Sequence, residues 1–236
     1  MRRRFAALGV LTIALAPCIL GGCGRDPGPV AGESTIEVDG TAVHAIERGP
    51  GEGAPPGRTV LFLHGQSYTA RIWADRGILD AVADAGWWAT AVDLPGYGGT
   101  PKRADDTPEA RASFLAALID ELGGPANVVL VSPSRSGDWS LPYLVSSASD
   151  ELAGFVPVAP VGIDGFERPA DAPPIPTLSV WGSDDGSYST DRAEHLVDEL
   201  GGPPGARTEI IDGASHAAYD DHPDEFTTLL LGALPA

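Results

Sequence analysis

Short apolar segments alternate with amphipathic segments along most of this chain. An apolar run of four to six residues is typical of a strand buried on both faces, and the longer amphipathic segments are typical of helices. The predicted parallel strands are 60–63, 88–92, 128–131, 155–159, 178–181 and 208–211. The predicted helices are 71–85, 108–122, a segment that begins after residue 137, 190–200 and 223–231. This alternation predicts one α/β domain with a mostly parallel sheet and helices on both faces.

A β-hairpin opens the domain. Residues 36–38 and 41–45 alternate in polarity around Asp39-Gly40, a dipeptide that favours a two-residue turn. The predicted sheet therefore has eight strands, of which the first two are antiparallel. Only residues 161–175 join the sixth and seventh strands, which is too few for a cap domain, so we expect an open site.

The N-terminus has the pattern of an export signal. Three arginines precede the uncharged, mostly apolar stretch 5–20, which is short for a membrane-spanning helix. Leu20-Gly21-Gly22-Cys23 then resembles a bacterial lipobox, in which the cysteine thiol receives a diacylglycerol. We expect a signal peptide at 1–22, lipidated Cys23, a tether at 23–33 and a folded domain at 34–236. Ordinary secretion without a lipid is the alternative.

The charge of the chain limits its partners. The formal net charge is −18, which disfavours nucleic acid and electrostatic attachment to anionic lipid. We therefore expect membrane attachment through the lipid on Cys23. Cys18 would leave with the signal, so the mature chain could form no internal disulfide.

Four serines follow the strand 128–131, where the chain turns into a helix: Ser132, Ser134, Ser136 and Ser140. A nucleophile on such a turn needs small residues two positions before it and two after it, because the bend is tight. Ser132 has Leu130 before it, Ser136 has Asp138 after it, and Ser140 lies within the helix. Ser134 meets the condition and is the predicted nucleophile, although serines replace both glycines of G-x-S-x-G. The motif alone is also consistent with an inert turn.

A serine nucleophile requires a histidine base, and the histidine requires a carboxylate that fixes its tautomer. Asp184 and Asp185 follow the strand 178–181, and both are candidates for this carboxylate. His216 lies in the loop after the last strand and is the predicted base, with His222 as its competitor. Acids beside these two histidines make a weak metal candidate because no second ligand group is spaced for one. We predict no metal and no other cofactor.

The residues after the strand 60–63 are predicted to complete the site. In His64-Gly65-Gln66, the backbone N–H of Gln66 is placed to form one half of an oxyanion hole, and the N–H of Arg135 is placed to form the other. His64 itself is predicted to be structural. Four aromatic residues fit the mouth of the site and the core equally well: Tyr68, Trp73, Trp139 and Tyr143.

Five motifs together resemble the α/β-hydrolase superfamily over about residues 33–236: HGQ, DLPGYGGT, the serine turn, GSDD and GASH. The run SPSRSGDWSLPYL is similar to the small lidless subgroup typified by abhydrolase domain-containing protein fourteen. The resemblance implies Ser134, Asp185 and His216 as a catalytic triad. It also implies that serines on both sides of the nucleophile are an accepted variant.

These observations predict a serine hydrolase of the cell envelope that acts on small or short-chain acyl esters. A long acyl chain would need an apolar enclosure, which a lidless site does not provide. A non-catalytic lipoprotein that uses the fold for binding is one alternative, and cofactor-free perhydrolysis by the same triad is another. The sequence carries no signal for an oligomeric state.

Overall fold

The computed structural model describes residues 31–50 and 57–235. Its strands are β1 (Ala31–Val38), β2 (Thr41–Arg48), β3 (Thr59–Phe62), β4 (Trp88–Val92), β5 (Val128–Pro133), β6 (Gly154–Val158), β7 (Thr177–Gly182) and β8 (Ala206–Ile211). Its α-helices are α1 (Arg71–Asp75), α2 (Ile78–Asp84), α3 (Pro108–Glu121), α4 (Gly137–Leu144), α5 (Thr190–Glu199), α6 (Ala218–Asp221) and α7 (Pro223–Ala233). The predicted signal peptide and Cys23 lie outside the described residues.

All eight strands form one sheet in the order β1-β2-β4-β3-β5-β6-β7-β8. The hairpin strand β2 pairs antiparallel with both β1 and β4, whereas β4, β3, β5, β6, β7 and β8 are parallel to one another. The predicted fold class is therefore confirmed. Residues 159–176, between β6 and β7, contain only one 3-10 turn and no cap domain.

Alternate side chains of the central strands point to opposite faces of the sheet, which gives the domain two cores. On one face Leu61 and Leu130 pack with buried residues of α3, α4 and α5. On the other face Phe62 and Val131 pack with buried residues of α1, α2 and α7. Because both faces are covered, β3 and β5 are apolar at nearly every position.

Three details differ from the sequence-based predictions. The predicted helix 71–85 is two helices, because Gly77 between α1 and α2 adopts a left-handed conformation with φ of 70°. Strand β1 begins at Ala31, so the last three residues of the predicted tether, 31–33, belong to the sheet. The short helix α6 was not predicted.

The carboxyl ends of the parallel strands lie at one edge of the sheet, where the predicted site residues follow them. Ser134 follows β5, Asp185 follows β7 by three residues, and His216 follows β8 by five. Ligand sites of open α/β sheets lie at this edge. No helix within residues 31–50 and 57–235 combines the length and apolar character that crossing a membrane requires.

Candidate active site

Ser134 stands on a strained turn. Its φ is 49°, a left-handed conformation that few residues other than glycine adopt. The backbone around it holds this conformation: the N–H of Val161 donates to the carbonyl of Ser134 at 3.0 Å. A Cβ added at Gly137 would collide with the carbonyl oxygen of Val161, so α4 can begin this close to the neighbouring loop only because residue 137 is glycine. Such strain is typical of functional sites.

The other serines of the stretch form a buried cluster behind this turn. The Ser132 hydroxyl lies 3.0 Å from that of Ser136 and 2.7 Å from that of Ser140, and Ser136 donates to the carbonyl of Pro133 at 2.7 Å. All three serines are fully buried. Their hydroxyls therefore satisfy one another, which explains how serines can replace the expected glycines without leaving an unpaired polar group.

Ser134, His216 and Asp185 form a continuous chain of hydrogen bonds. The Ser134 hydroxyl lies 2.8 Å from Nε2 of His216, and Nδ1 of His216 lies 2.8 Å from Oδ2 of Asp185. Asp184, the alternative acid, is exposed, and its N–H donates to the carbonyl of Ala214. The structure thus brings Asp185, and not Asp184, to the histidine. An imidazole held in this way can accept the proton of the serine hydroxyl through Nε2.

The carboxylate of Asp185 is further held by Ser187, a residue that no sequence motif marks. The Ser187 N–H donates to Oδ1 at 2.8 Å and its hydroxyl donates to Oδ2 at 2.9 Å. Burial alone would raise the pKa of Asp185, but the hydrogen bonds from Ser187 and His216 outweigh it and lower the pKa below its ordinary value. Asp185 is therefore ionised and oriented toward Nδ1 of His216.

The peptide unit between Gly65 and Gln66 is fixed from its carbonyl side. Nδ1 of the buried His64 donates to the Gly65 carbonyl at 2.9 Å, and its Nε2 accepts from the N–H of Leu94 at 3.0 Å. Burial lowers the pKa of His64, which keeps the ring neutral in this tautomer. In a trans peptide the N–H points opposite to the carbonyl, so the Gln66 N–H faces away from His64. This is the structural role predicted for His64.

The loop that carries Gln66 also lies against the nucleophile. A Cβ built at Gly65 would lie 3.6 Å from the Cβ of Ser134 and 3.4 Å from the Tyr219 hydroxyl. Tyr219 belongs to α6, directly after the loop of His216, and its ring stacks on that of Trp73 at 4.5 Å. The unpredicted helix α6 thus connects the histidine loop with the loop that carries Gln66.

Most of the aromatic residues considered for the mouth belong to the core. Trp73 and Tyr143 are fully buried and Trp139 is 5% exposed, so only Tyr68 reaches the surface near the site. The His216 side chain is 44% exposed. This exposure agrees with the open site that the short segment between β6 and β7 predicts.

The two acids near His216 that were candidates for a metal site have other partners. Asp221 accepts from the N–H of Ser215 at 2.8 Å, and Asp220 accepts from Tyr68 at 2.9 Å and from Arg76 at 2.6 Å. Within the described part of the chain, no group of three His, Cys, Asp or Glu side chains is arranged to hold a metal.

Comparison with known proteins identifies the fold and its relatives. A sequence profile of the Alpha/beta hydrolase family matches residues 60–137, which include β3, the Gln66 loop and the turn of Ser134. The solved structure of a CIB-like hydrolase from Thermoplasma acidophilum superposes with a TM-score of 0.70 at 22% identity, over 87% of this chain and 98% of that one. At this level of identity, the superposition shows a shared fold.

Two proteins share enough sequence to place the chain within a subgroup. ABHD14B of Rattus norvegicus, described as a candidate protein-lysine deacylase, is 40% identical over 86% of this chain and 95% of its own length. ABHD14A of Danio rerio is 37% identical over 76% of this chain and 65% of its own length. The chain is therefore a hydrolase that belongs to the α/β-hydrolase family, within its ABHD14 subgroup.

Proposed function

We propose that the chain hydrolyses small or short-chain acyl esters, with Ser134 as the nucleophile, His216 as the general base and Asp185 as the residue that orients His216. The observation that carries the proposal is the unbroken chain of hydrogen bonds, 2.8 Å at each step, from the Ser134 hydroxyl through His216 to Asp185. The left-handed φ of 49° at Ser134 supports it independently.

The reaction follows from the positions of these groups. Nε2 of His216 takes the proton as the Ser134 oxygen attacks the acyl carbonyl, and the negative charge that develops on the carbonyl oxygen meets the N–H groups of Gln66 and Arg135. His216 then gives its proton to the departing alcohol, which leaves an acyl-serine. Water, activated by His216, releases the acid and restores Ser134.

An acyl-lysine is a second candidate substrate. The reason is the 40% identity to ABHD14B, which is described as a candidate protein-lysine deacylase. An open site also supports this candidate, because a lysine on the surface of another protein could approach His216, whose side chain is 44% exposed. Hydrolysis of the amide would use the same steps, with His216 protonating the departing amine.

A panel of substrates tests the proposal. We expect the purified full chain to hydrolyse 4-nitrophenyl acetate and butyrate with a kcat/KM at least about 10-fold above that for the decanoate, because the site offers no apolar enclosure for a long chain. A peptide with one acetylated lysine, assayed beside the esters, tests the second candidate. A kcat/KM that rises with chain length to the decanoate would contradict the short-chain assignment.

We also propose that the chain is attached to the cell envelope by a lipid on Cys23, with secretion as the alternative. Support comes from the arginines at positions 2–4, the apolar stretch 5–20 and the LGGC motif. In bacterial cells we expect the wild-type chain in the membrane fraction and Cys23→Ala outside it. An equal membrane share for both chains would contradict lipid attachment.

A further inference from the structure

Two arginines lie with their acidic partners on one side of the candidate site, in a chain whose formal net charge is −18. Arg135 directly follows Ser134, and 46% of its side chain is exposed. Arg111 contacts Asp138, which is also the ion-pair partner of Arg135. Hydrogen bonds from Arg111, with the charges of Arg111, Lys102 and Arg135, lower the pKa of Asp106 below its ordinary value. Arg111 and Arg135 thus share Asp138 beside the turn of Ser134, and Arg111 is paired with Asp106 as well.

Arg135 retains donors for a ligand. Its Nε lies 3.0 Å from Oδ2 of Asp138, and Asp138 is shared with Nη1 of Arg111 at 3.4 Å. Among residues 31–50 and 57–235, no hydrogen bond reaches the terminal nitrogens Nη1 and Nη2 of Arg135. A guanidinium presents such nitrogens in a planar fork that matches the two oxygens of a carboxylate.

The direction of proton transfer decides which part of a substrate lies near Arg135. His216 must protonate the leaving group, so the leaving group lies on the side of His216. The acyl chain then leaves the Ser134 oxygen on another side, and a path over the turn would bring it past the exposed Arg135 side chain. Neighbouring Cα atoms are about 3.8 Å apart, and an arginine side chain extends several ångströms further. The far end of a short acyl chain on Ser134 is thus within reach of the Arg135 guanidinium.

We propose that Arg135 forms an acyl-end subsite that selects acyl groups ending in a carboxylate, that is, half-esters or half-amides of short dicarboxylic acids. The inference rests on the proposed function, because Arg135 would bind the far end of the acyl group that Ser134 would carry. In the reaction, the Ser134 hydroxyl gives its proton to His216 and its oxygen bonds to the near carbonyl carbon. The bond from that carbon to the alcohol oxygen or amine nitrogen breaks, and His216 gives the proton to the departing atom. One water then releases the free dicarboxylate and restores Ser134.

Two esters with the same acyl chain, one ending in a carboxylate and the other in its neutral methyl ester, test the inference: the 4-nitrophenyl half-ester of glutaric acid and its methyl-capped counterpart. Rates measured with Ser134→Ala are subtracted to remove spontaneous hydrolysis. For the wild-type full chain at low ionic strength, we expect kcat/KM to be about 10-fold higher for the anionic ester, as a charge-assisted contact at a partly exposed site provides. We expect this ratio to fall to about 1 or below in Arg135→Gln and to be partly retained in Arg135→Lys.

Arg207 offers a matched control, because its side chain has the same exposed fraction of 46% and an ion pair with Glu209. Arg207 lies near the amino end of β8, whereas the candidate site lies at the carboxyl ends of the parallel strands. Arg207→Gln should keep the wild-type ratio, and circular dichroism should show every variant folded. A wild-type ratio at or below 1, or a ratio unchanged in Arg135→Gln, would overturn the inference alone. If the wild type hydrolysed neither ester above the Ser134→Ala rate, the proposed function would fail and the inference with it.

Discussion

Ser134→Ala is expected to lower kcat for 4-nitrophenyl butyrate by about 10⁴-fold or more, because the variant lacks the oxygen that forms the acyl intermediate. The fold should be unaffected, since the substitution only removes a partly exposed hydroxyl whose hydrogen bond is to His216. Steady-state rates at saturating ester, with circular dichroism spectra of both chains, measure the effect.

Ser140→Ala is a suitable control for this prediction. Ser140 lies in the same stretch but is fully buried, and its hydroxyl bonds to Ser132. Its replacement should cost about 1 kcal/mol of stability and leave kcat within about 10-fold of the wild-type value. If Ser134→Ala retained more than a tenth of the activity while Ser140→Ala lost it, the choice of nucleophile would be wrong.

Asp185→Asn is expected to lower kcat by about 10⁴-fold with little change in structure. An amide can present an N–H to Nδ1 of His216, which would hold the proton on Nε2 and prevent that atom from accepting the Ser134 proton. The pH dependence of kcat should be measured as well, so that a general loss of fold can be distinguished from a wrong tautomer.

The neighbouring acid provides the control. Asp184 is exposed, whereas only 3% of the Asp185 side chain is exposed, and the two residues are adjacent in the sequence. Asp184→Asn should therefore change kcat by no more than a few-fold. A larger loss in Asp184→Asn than in Asp185→Asn would contradict the arrangement of hydrogen bonds described above.

The sequence predicted those parts of the fold that depend on local patterns. Apolar runs marked the six parallel strands, because strands of a parallel sheet covered on both faces are mostly apolar. The turn at Asp39-Gly40 fixed the hairpin, and the small number of residues between β6 and β7 excluded a cap domain. The order of serine, acid and histidine along the chain predicted which three side chains the sheet would bring together.

Features that depend on contacts between distant segments were not predicted. Neither Ser187 nor Tyr219 belongs to a motif, and their contacts with Asp185 and Gly65 arise only when the loops meet at the edge of the sheet. A serine two residues after a candidate acid was the available signal for Ser187. For Trp73, Trp139 and Tyr143, composition could not distinguish a rim position from the core, because large aromatic side chains suit both.

Covalent labelling by a fluorophosphonate tests the central claim most directly, because the reagent reacts with a serine only when the oxygen is activated. Purified wild-type chain, His216→Ala and Ser134→Ala would be labelled and their peptides identified by mass spectrometry. The hydrogen bonds from Asp185 through His216 predict one adduct, on Ser134, that is absent from both variants although both remain folded. An adduct on another serine, or a wild-type chain that is folded and unlabelled, would contradict the assignment of Ser134 as an activated nucleophile.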